Sequence, residues 1–304
     1  MGVRVGWLRL AVGLGILALL FVFANPTDLL RYLITADPAR LVVAALILTA
    51  ATLLGAFNLH LFLPRAERPP LLRFVPLFWL AWAVGLVVPG QVGDLSTIAV
   101  ALRRRGLAWQ TALGRNLLDK ATSLVVLGAL ASWGLYRWFG PRATLVTAAA
   151  LGVSGVLGVL VLVWLARRTP RANWMLEIAA ASLADMVQTA RLHPGRVAVN
   201  TVLTLVKFLM VTSAYSFVLA AVGVHGLAFG DLLSAVAASS LVAYLPVTAN
   251  GIGTAEATGV ALLGTLGVPA TAVLSAYLLL RALVFVLAWL PVAFWLLLHR
   301  QEAG

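Results

Sequence analysis

Runs of apolar residues close to twenty long recur along the chain, and that is the length a helix needs to cross the hydrocarbon of a bilayer. Uninterrupted runs occupy roughly 9–24, 41–63, 111–136, 143–166, 197–222 and 270–298. Two further apolar stretches, about 71–102 and 231–266, are each broken. The first is interrupted by "VVPGQVGD", Val87 to Asp94, and the second by "YLPVTANGIGTAEATG", Tyr244 to Gly259. A stretch of ~32–36 residues is long for one span and short for two spans with a loop. It fits a re-entrant hairpin, two half-helices that enter and leave on one side.

Composition agrees with this reading. Hydrophobic residues make up 62% of the chain and charged residues only 11%, with a mean hydropathy of +1.02. Ordinary soluble domains carry about 25% charged residues. No stretch is long and polar enough for a separate soluble catalytic domain. The expected fold is therefore one all-α polytopic transmembrane domain over 1–304. It has six full spans plus two broken re-entrant helical hairpins in an inverted repeat, the first repeat at about 71–136 and the second at about 231–298.

The net charge of +12 would suit nucleic acid, but the arginines sit in short loops between apolar runs. That is the topology signal of a membrane protein, with an anionic lipid surface as partner and no nucleic acid. With full crossings at the six runs and re-entry at the two breaks, Arg4, Arg9, Arg65, Arg68, Arg73, Arg103 to Arg105, Arg167, Arg168, Arg171, Arg191, Arg196 and Arg300 share one side. Only Arg31, Arg40, Arg137 and Arg142 fall on the other. The positive-inside rule makes the first side cytoplasmic, with both termini there, in the cell (inner) membrane. Charge alone leaves open a rival count in which each broken stretch crosses.

The chain has no cysteine, which removes disulfides and thiolate chemistry. His60, His193, His225 and His299 are scattered without metal-ligand spacing, so neither a metal nor a cofactor is expected. Val22-Phe23-Ala24 would pass as a signal-peptide cleavage site; a retained first span is the expectation in so apolar a chain. Between 167 and 196, Trp174, Ile178, Leu183 and Val187 recur at roughly helical spacing. The segment reads as a cytoplasmic amphipathic connector, on the inner leaflet or the bundle, with a solvated connector as the alternative.

The two broken stretches share a plan. Asp94 is followed by Gly106 and Asp119, and Glu256 by Gly267 and Arg281, at nearly the same spacings. Inverted-topology repeats of this kind are recurrent in secondary transporters, which bind substrate near the bilayer midplane. The helix-breaking residues are Pro89, Gly90 and Gly93 in the first unit, and Pro246, Asn250, Gly251 and Gly253 in the second.

Charges inside apolar runs are expensive, about 2.5–3.5 kcal/mol each on insertion scales. Seven stand here: Asp94, Arg115, Asp119, Lys120, Lys207, Glu256 and Arg281. Structural roles are available for several. Asp94 can cap a half-helix, Glu256 can neutralise Arg281, Arg115 can snorkel, Lys207 if alone can neutralise itself, and Pro291 can simply kink the last span. As a set, they suit a polar cavity in which half-helix N-termini and four cations meet an anion, with the carboxylates holding the cations or carrying a proton. Asn200 and Thr204 continue the polar stripe of Lys207, while Tyr215 and Tyr277 lie nearby in sequence. All seven are candidate substrate-binding residues, and none is assigned a catalytic role.

The segments "VVPGQVGDLSTIAVALRRRG", "NLLDKATSLVVLGALA" and "LPVTANGIGTAEATGVALLGTLGV", with the span around Arg281, resemble the membrane region of lysylphosphatidylglycerol synthases and the flippase-like proteins built from that region alone. The resemblance runs over about 5–300. It implies a lipid-translocating bundle with pseudo-symmetric re-entrant helices, and it carries over to Pro89, Gly93, Asp94, Asp119, Pro246, Gly251, Gly253, Glu256 and Arg281. In "NLLDK", relatives often place an arginine before the acid; here Leu118 precedes Asp119 and Lys120 follows. The soluble aminoacyl-transferase domain is missing, so lysine transfer to lipid is not expected. The resulting expectation is a non-enzymatic flippase moving a phospholipid or a polyprenyl-phosphate-linked lipid, with membrane lipid as substrate and association into a homo-oligomer left open. The alternatives are a membrane-embedded transferase acting on a lipid-linked substrate, or an accessory protein that presents lipid to an enzyme.

Overall fold

The computed structural model describes residues 2–23, 26–65, 67–87, 92–167, 172–245 and 247–300. Among them every regular element is helical: α1 (Gly2–Phe23), α2 (Pro26–Thr35), α3 (Pro38–Phe62), α4 (Leu71–Val87), α5 (Val92–Arg103), α6 (Trp109–Arg167), α7 (Ala172–Leu192), α8 (Pro194–Ala221), α9 (Phe229–Tyr244), α10 (Thr254–Gly264) and α11 (Ala270–Arg300). A 3₁₀ turn, Ala249–Gly251, lies between α9 and α10.

Among the described residues three helices are long and apolar enough to cross a membrane: α3, α8 and the Ala270–Ala293 part of α11. The pair Leu10–Val22 and Pro26–Thr35, bent by 96°, makes a fourth if counted as one span. The expected runs at 111–136 and 143–166 are the two arms of α6. They meet at Gly140, whose φ of 79° and ψ of 179° leave the helical region, followed by Pro141, which has no N–H to continue the ladder. The short helix α2 has no counterpart among the expected spans. Its Leu29 is buried beside Leu274, while Leu30 and Ile34 point outward.

Both broken stretches form two half-helices each, α4 with α5 and α9 with α10. Pro89, Gly90 and Pro246 lie outside the described residues. The units end alike. Gly106 and Gly267 both take positive φ, and each following N–H, of Leu107 and Val268, reaches back to the carbonyl of Leu102 or Leu263. That six-to-one bond with a left-handed glycine is the Schellman way to end a helix and turn the chain. In both units a long helix follows, α6 or α11.

The core is built around α3 and α8, which pack extensively, with α9, α10 and α11 closing the cluster of Ala214, Val218, Leu232, Val236 and Val273. A second cluster, with Phe74, Leu59 and Leu102, ties α4 and α5 to α3. The amphipathic helix α7 folds back on α6. Gly114 admits it there, since a methyl group at that position would press on the Ser182 carbonyl and the Asp185 carboxylate. Leu183, Val187 and Leu192 of α7 stay exposed.

Candidate functional site

The second break is shaped by its sequence. Asn250 (φ 48°), Gly251 (φ 69°) and Gly253 (φ 80°) are all left-handed, a conformation that favours glycine and, after it, asparagine. Gly253 has a further reason to lack a side chain: a Cβ there would strike the Gly13 carbonyl of α1, which packs over the turn. Three residues on, Glu256 sits in the first turn of α10, and its Oε2 accepts the Gly253 N–H at 2.8 Å. This caps an N–H that the helix itself cannot satisfy.

The other carboxylate oxygen, Oε1, accepts from Arg281 Nε at 2.7 Å and pairs with Nη2 at 2.6 Å. Glu256 is 1% exposed, so this is a buried, charge-assisted pair between a half-helix and the following long helix. Glu256 therefore does neutralise Arg281, as one reading of the sequence has it, and it also organises the break.

The first unit repeats this arrangement with different residues. Asp94 lies in the first turn of α5 rather than at a cap preceding it, and its Oδ2 meets Lys120 Nζ of α6 at 2.6 Å. The cation that matches Arg281 is thus Lys120, one residue beyond the Asp119 that the spacing pattern aligned with it. Gly85 eases the close approach of α4 and α5, since a methyl group there would lie 3.1 Å from the Asp94 Cβ. Lys120 also lies over the Tyr244 ring at 5.7 Å, joining the first unit to the end of α9 in the second.

Asp119 turns instead toward α8, where Asn200 Nδ2 donates to its Oδ1 at 2.8 Å. Asn58 of α3 continues the polar seam, donating to Thr204 Oγ1 at 2.8 Å. Lys207, two turns after Asn200, has no hydrogen-bond or ion-pair partner among the described residues; its ammonium lies 5.1 Å from the ring of its neighbour Phe208.

These groups surround a hollow with two lobes. The larger, about 360 Å³, is lined by Asp94, Asp119, Lys120, Lys207, Tyr215 and Tyr244, with Asn116 and Ser123. The smaller, about 150 Å³, is lined by Glu256, Arg281, Tyr277 and Ser239. Tyr215, Ser240, Asn250 and Leu280 belong to both, so the lobes adjoin. Between them Tyr215 and Tyr277 stack edge to face at 5.1 Å, and the Tyr277 hydroxyl is 2.9 Å from Ser239 Oγ. Three carboxylates and three cations face this space. Four of these six charges are spent in the two ion pairs.

Six of the seven candidate charges thus converge. Arg115 does not: it pairs across 3.1 Å with Asp185 on α7, outside the lining of either lobe. Burial pushes the Asp185 carboxyl above its usual range, and Arg115 only partly offsets this. Asn116 and Ser123 escape a search for charges, although their spacing from Lys120, four before and three after, puts them on its face of α6. Asn58 and Asp185 lie on other helices, and only the packing of α3 on α8 and of α7 on α6 brings them in. Among the described residues no three of His, Asp and Glu are grouped to hold a metal ion.

A search of curated proteins finds no match to the chain. A family model does match it, described as the lysylphosphatidylglycerol synthase TM region, over residues 6–291. That match takes in both breaks, both ion pairs and every charged residue that lines the hollow, and the protein belongs to the lysylphosphatidylglycerol synthase transmembrane-region family of membrane proteins linked to lipid metabolism or transport.

Proposed function

We propose that the protein is a lipid flippase that moves a phosphate-bearing lipid, a phospholipid or a polyprenyl-phosphate-linked lipid, across the cell membrane. The observation that carries this reading is Lys207, a cation with no ion-pair partner among the described residues, facing a polar hollow between two broken helical units. A buried ammonium is costly unless something anionic meets it. Lys120 and Arg281 already have carboxylates, so a phosphate that enters the larger lobe finds Lys207 uncommitted. A volume of about 360 Å³ lies within the 300–1,000 Å³ or so of small-molecule sites, enough for a headgroup while acyl chains remain in lipid.

In this reading α4–α5 and α9–α10 are re-entrant hairpins of opposite sense, and both termini are cytoplasmic by the distribution of arginines. The matched Schellman turns and acid–cation pairs support the repeat. The chain acts as a transporter rather than an enzyme, with lipid as its partner. The two ion pairs hold the half-helices to α6 and α11, and Asp119 is the lining carboxylate that belongs to neither pair.

The test is reconstitution. Purified protein in liposomes should move a fluorescent phosphate-bearing lipid between leaflets faster than empty vesicles do. No acceleration with any phosphate-bearing phospholipid or polyprenyl phosphate would refute the proposal. A covalently altered lipid product would replace it with a transferase.

A further inference from the structure

Away from the central hollow, a groove of about 500 Å³ runs between α4 and α11. Its walls are Pro76, Leu77 and Leu80 of α4 and Pro291 and Val292 of α11, and two arginines, Arg73 and Arg105, share its lining. Arg73 lies in the first turn of α4, and Arg105 just past the last turn of α5, so both stand at the open end of the first hairpin. An adjoining hollow of about 620 Å³ shares Leu77, Leu80 and Arg105 and adds Arg104.

Two helix-interior prolines, Pro76 and Pro291, line the groove. Pro291 lacks the N–H that would bond to the Leu287 carbonyl one turn back, and the indole of Trp79 donates to that carbonyl instead, at 3.0 Å. Trp79 thereby gives its only donor to the helix. It stacks edge to face on Trp82 at 5.5 Å, and Trp82 lines the central hollow. The two tryptophans thus stand between groove and hollow, which makes the groove a separate site.

We infer that this groove is a binding site for one anionic phospholipid, its phosphate between Arg73 and Arg105 and an acyl chain along Leu77, Leu80 and Val292. Charge complementarity selects the occupant. Two arginines line one groove, no carboxylate among the described residues lines it or the adjoining hollow, and neither arginine has an ion-pair partner among those residues. Both arginines are exposed at that end, where an anionic headgroup at the membrane surface can reach them. The apolar walls extend from that end for about 10 Å, seven residues of α4 at ~1.5 Å each, which a soluble anion would leave empty and an acyl chain fills. A basic end on an apolar slot is the form that recognition of anionic lipid takes at the cytoplasmic face of membrane proteins.

Native mass spectrometry tests this on the purified full chain, released from micelles holding equal phosphatidylglycerol and phosphatidylcholine. In Lys207→Met, where the central hollow has lost its unpaired cation, one phosphatidylglycerol should still be retained in preference, and adding Arg73→Gln/Arg105→Gln should lower that preference about 10- to 30-fold, near 1 kcal/mol for each charge. Leu80→Trp, which fills the slot, should remove the lipid while leaving the arginines in place. A phosphatidylglycerol with a photoactivatable acyl chain should label α4 and α11 around Leu80 and Val292. Equal retention of the two lipids, or a preference that survives the arginine changes, would overturn the inference. Loss of the retained lipid in Lys207→Met would overturn it too, by placing that lipid in the central hollow. None of these readouts requires transport, so the groove and the flippase reading fail separately.

Discussion

Replacing Arg281 with methionine isolates the energetics of the second break. Glu256 is 1% exposed, and its Oε1 has Arg281 as its partner, at 2.6 and 2.7 Å. With the guanidinium gone, the carboxylate keeps the Gly253 N–H and little else. Removing one member of a buried ion pair costs about 3–5 kcal/mol, because the remaining charge stays out of water. At ~1.4 kcal/mol per decade, that lowers the folded-to-unfolded ratio by roughly 100- to 4,000-fold. Glu256→Gln should cost less, about 1–3 kcal/mol, since the amide still caps α10 and Arg281 borders the cavity. The double variant Glu256→Gln/Arg281→Met should recover most of the single Arg281→Met loss, because no buried charge is left unpaired. Unfolding in mixed micelles by increasing SDS, followed by far-UV circular dichroism, measures all three. If Arg281→Met is within about 1 kcal/mol of wild type, or if the double variant is as unstable as the sum of the singles, the carboxylate is not held as argued.

Other changes bear on other parts of the structure. Gly253→Ala should destabilise by about 1–3 kcal/mol from its left-handed φ alone, and more if the Gly13 carbonyl of α1 cannot move aside, as read by the same SDS titration. Tyr277→Phe leaves the Ser239 hydroxyl, which is 1% exposed, without its partner, and should cost about 1–3 kcal/mol in thermal melts. Burial raises the Asp185 carboxyl above its ordinary 3.8, so the folded state holds that proton more tightly than the unfolded chain does. Docking of α7 should therefore weaken as pH rises from that ordinary value through the raised one and level off above it. Limited proteolysis of α7 against pH should follow this course in wild type and be flat in Asp185→Asn.

How far the sequence carries the structure differs from one residue to the next. Both breaks are legible because proline, glycine and a carboxylate rarely fall together in an apolar run unless the helix opens there. The paired spacing of Glu256 and Arg281 likewise translates into a contact. In the first unit the same reasoning lands one residue short, on Asp119, since helical spacing does not say which of two adjacent side chains turns toward α5 and which toward α8. Arg115 lies outside the lining of both lobes, paired with Asp185 on an amphipathic helix packed at Gly114, a contact without any periodic signal. The bend of α6 at Gly140 and Pro141 is written in those two residues, whereas α2 is concealed by the apolar run that precedes it. Asn58 is beyond reach from the sequence, since a lone asparagine in α3 acquires meaning only when α8 brings Thr204 beside it.

Lipid scrambling by Lys207→Met tests the central claim most directly. Wild type and variant, at matched incorporation in liposomes, would be compared by the rate at which a headgroup-labelled phosphatidylglycerol becomes accessible to an external quencher. Among the described residues Lys207 has no ion-pair partner to orphan, so the variant should stay folded, with stability within about 1 kcal/mol of wild type. The account predicts that its scrambling rate falls to that of empty vesicles while its unfolding profile is unchanged. A folded Lys207→Met protein that moves the lipid at the wild-type rate would show that the hollow between the two breaks is not the path.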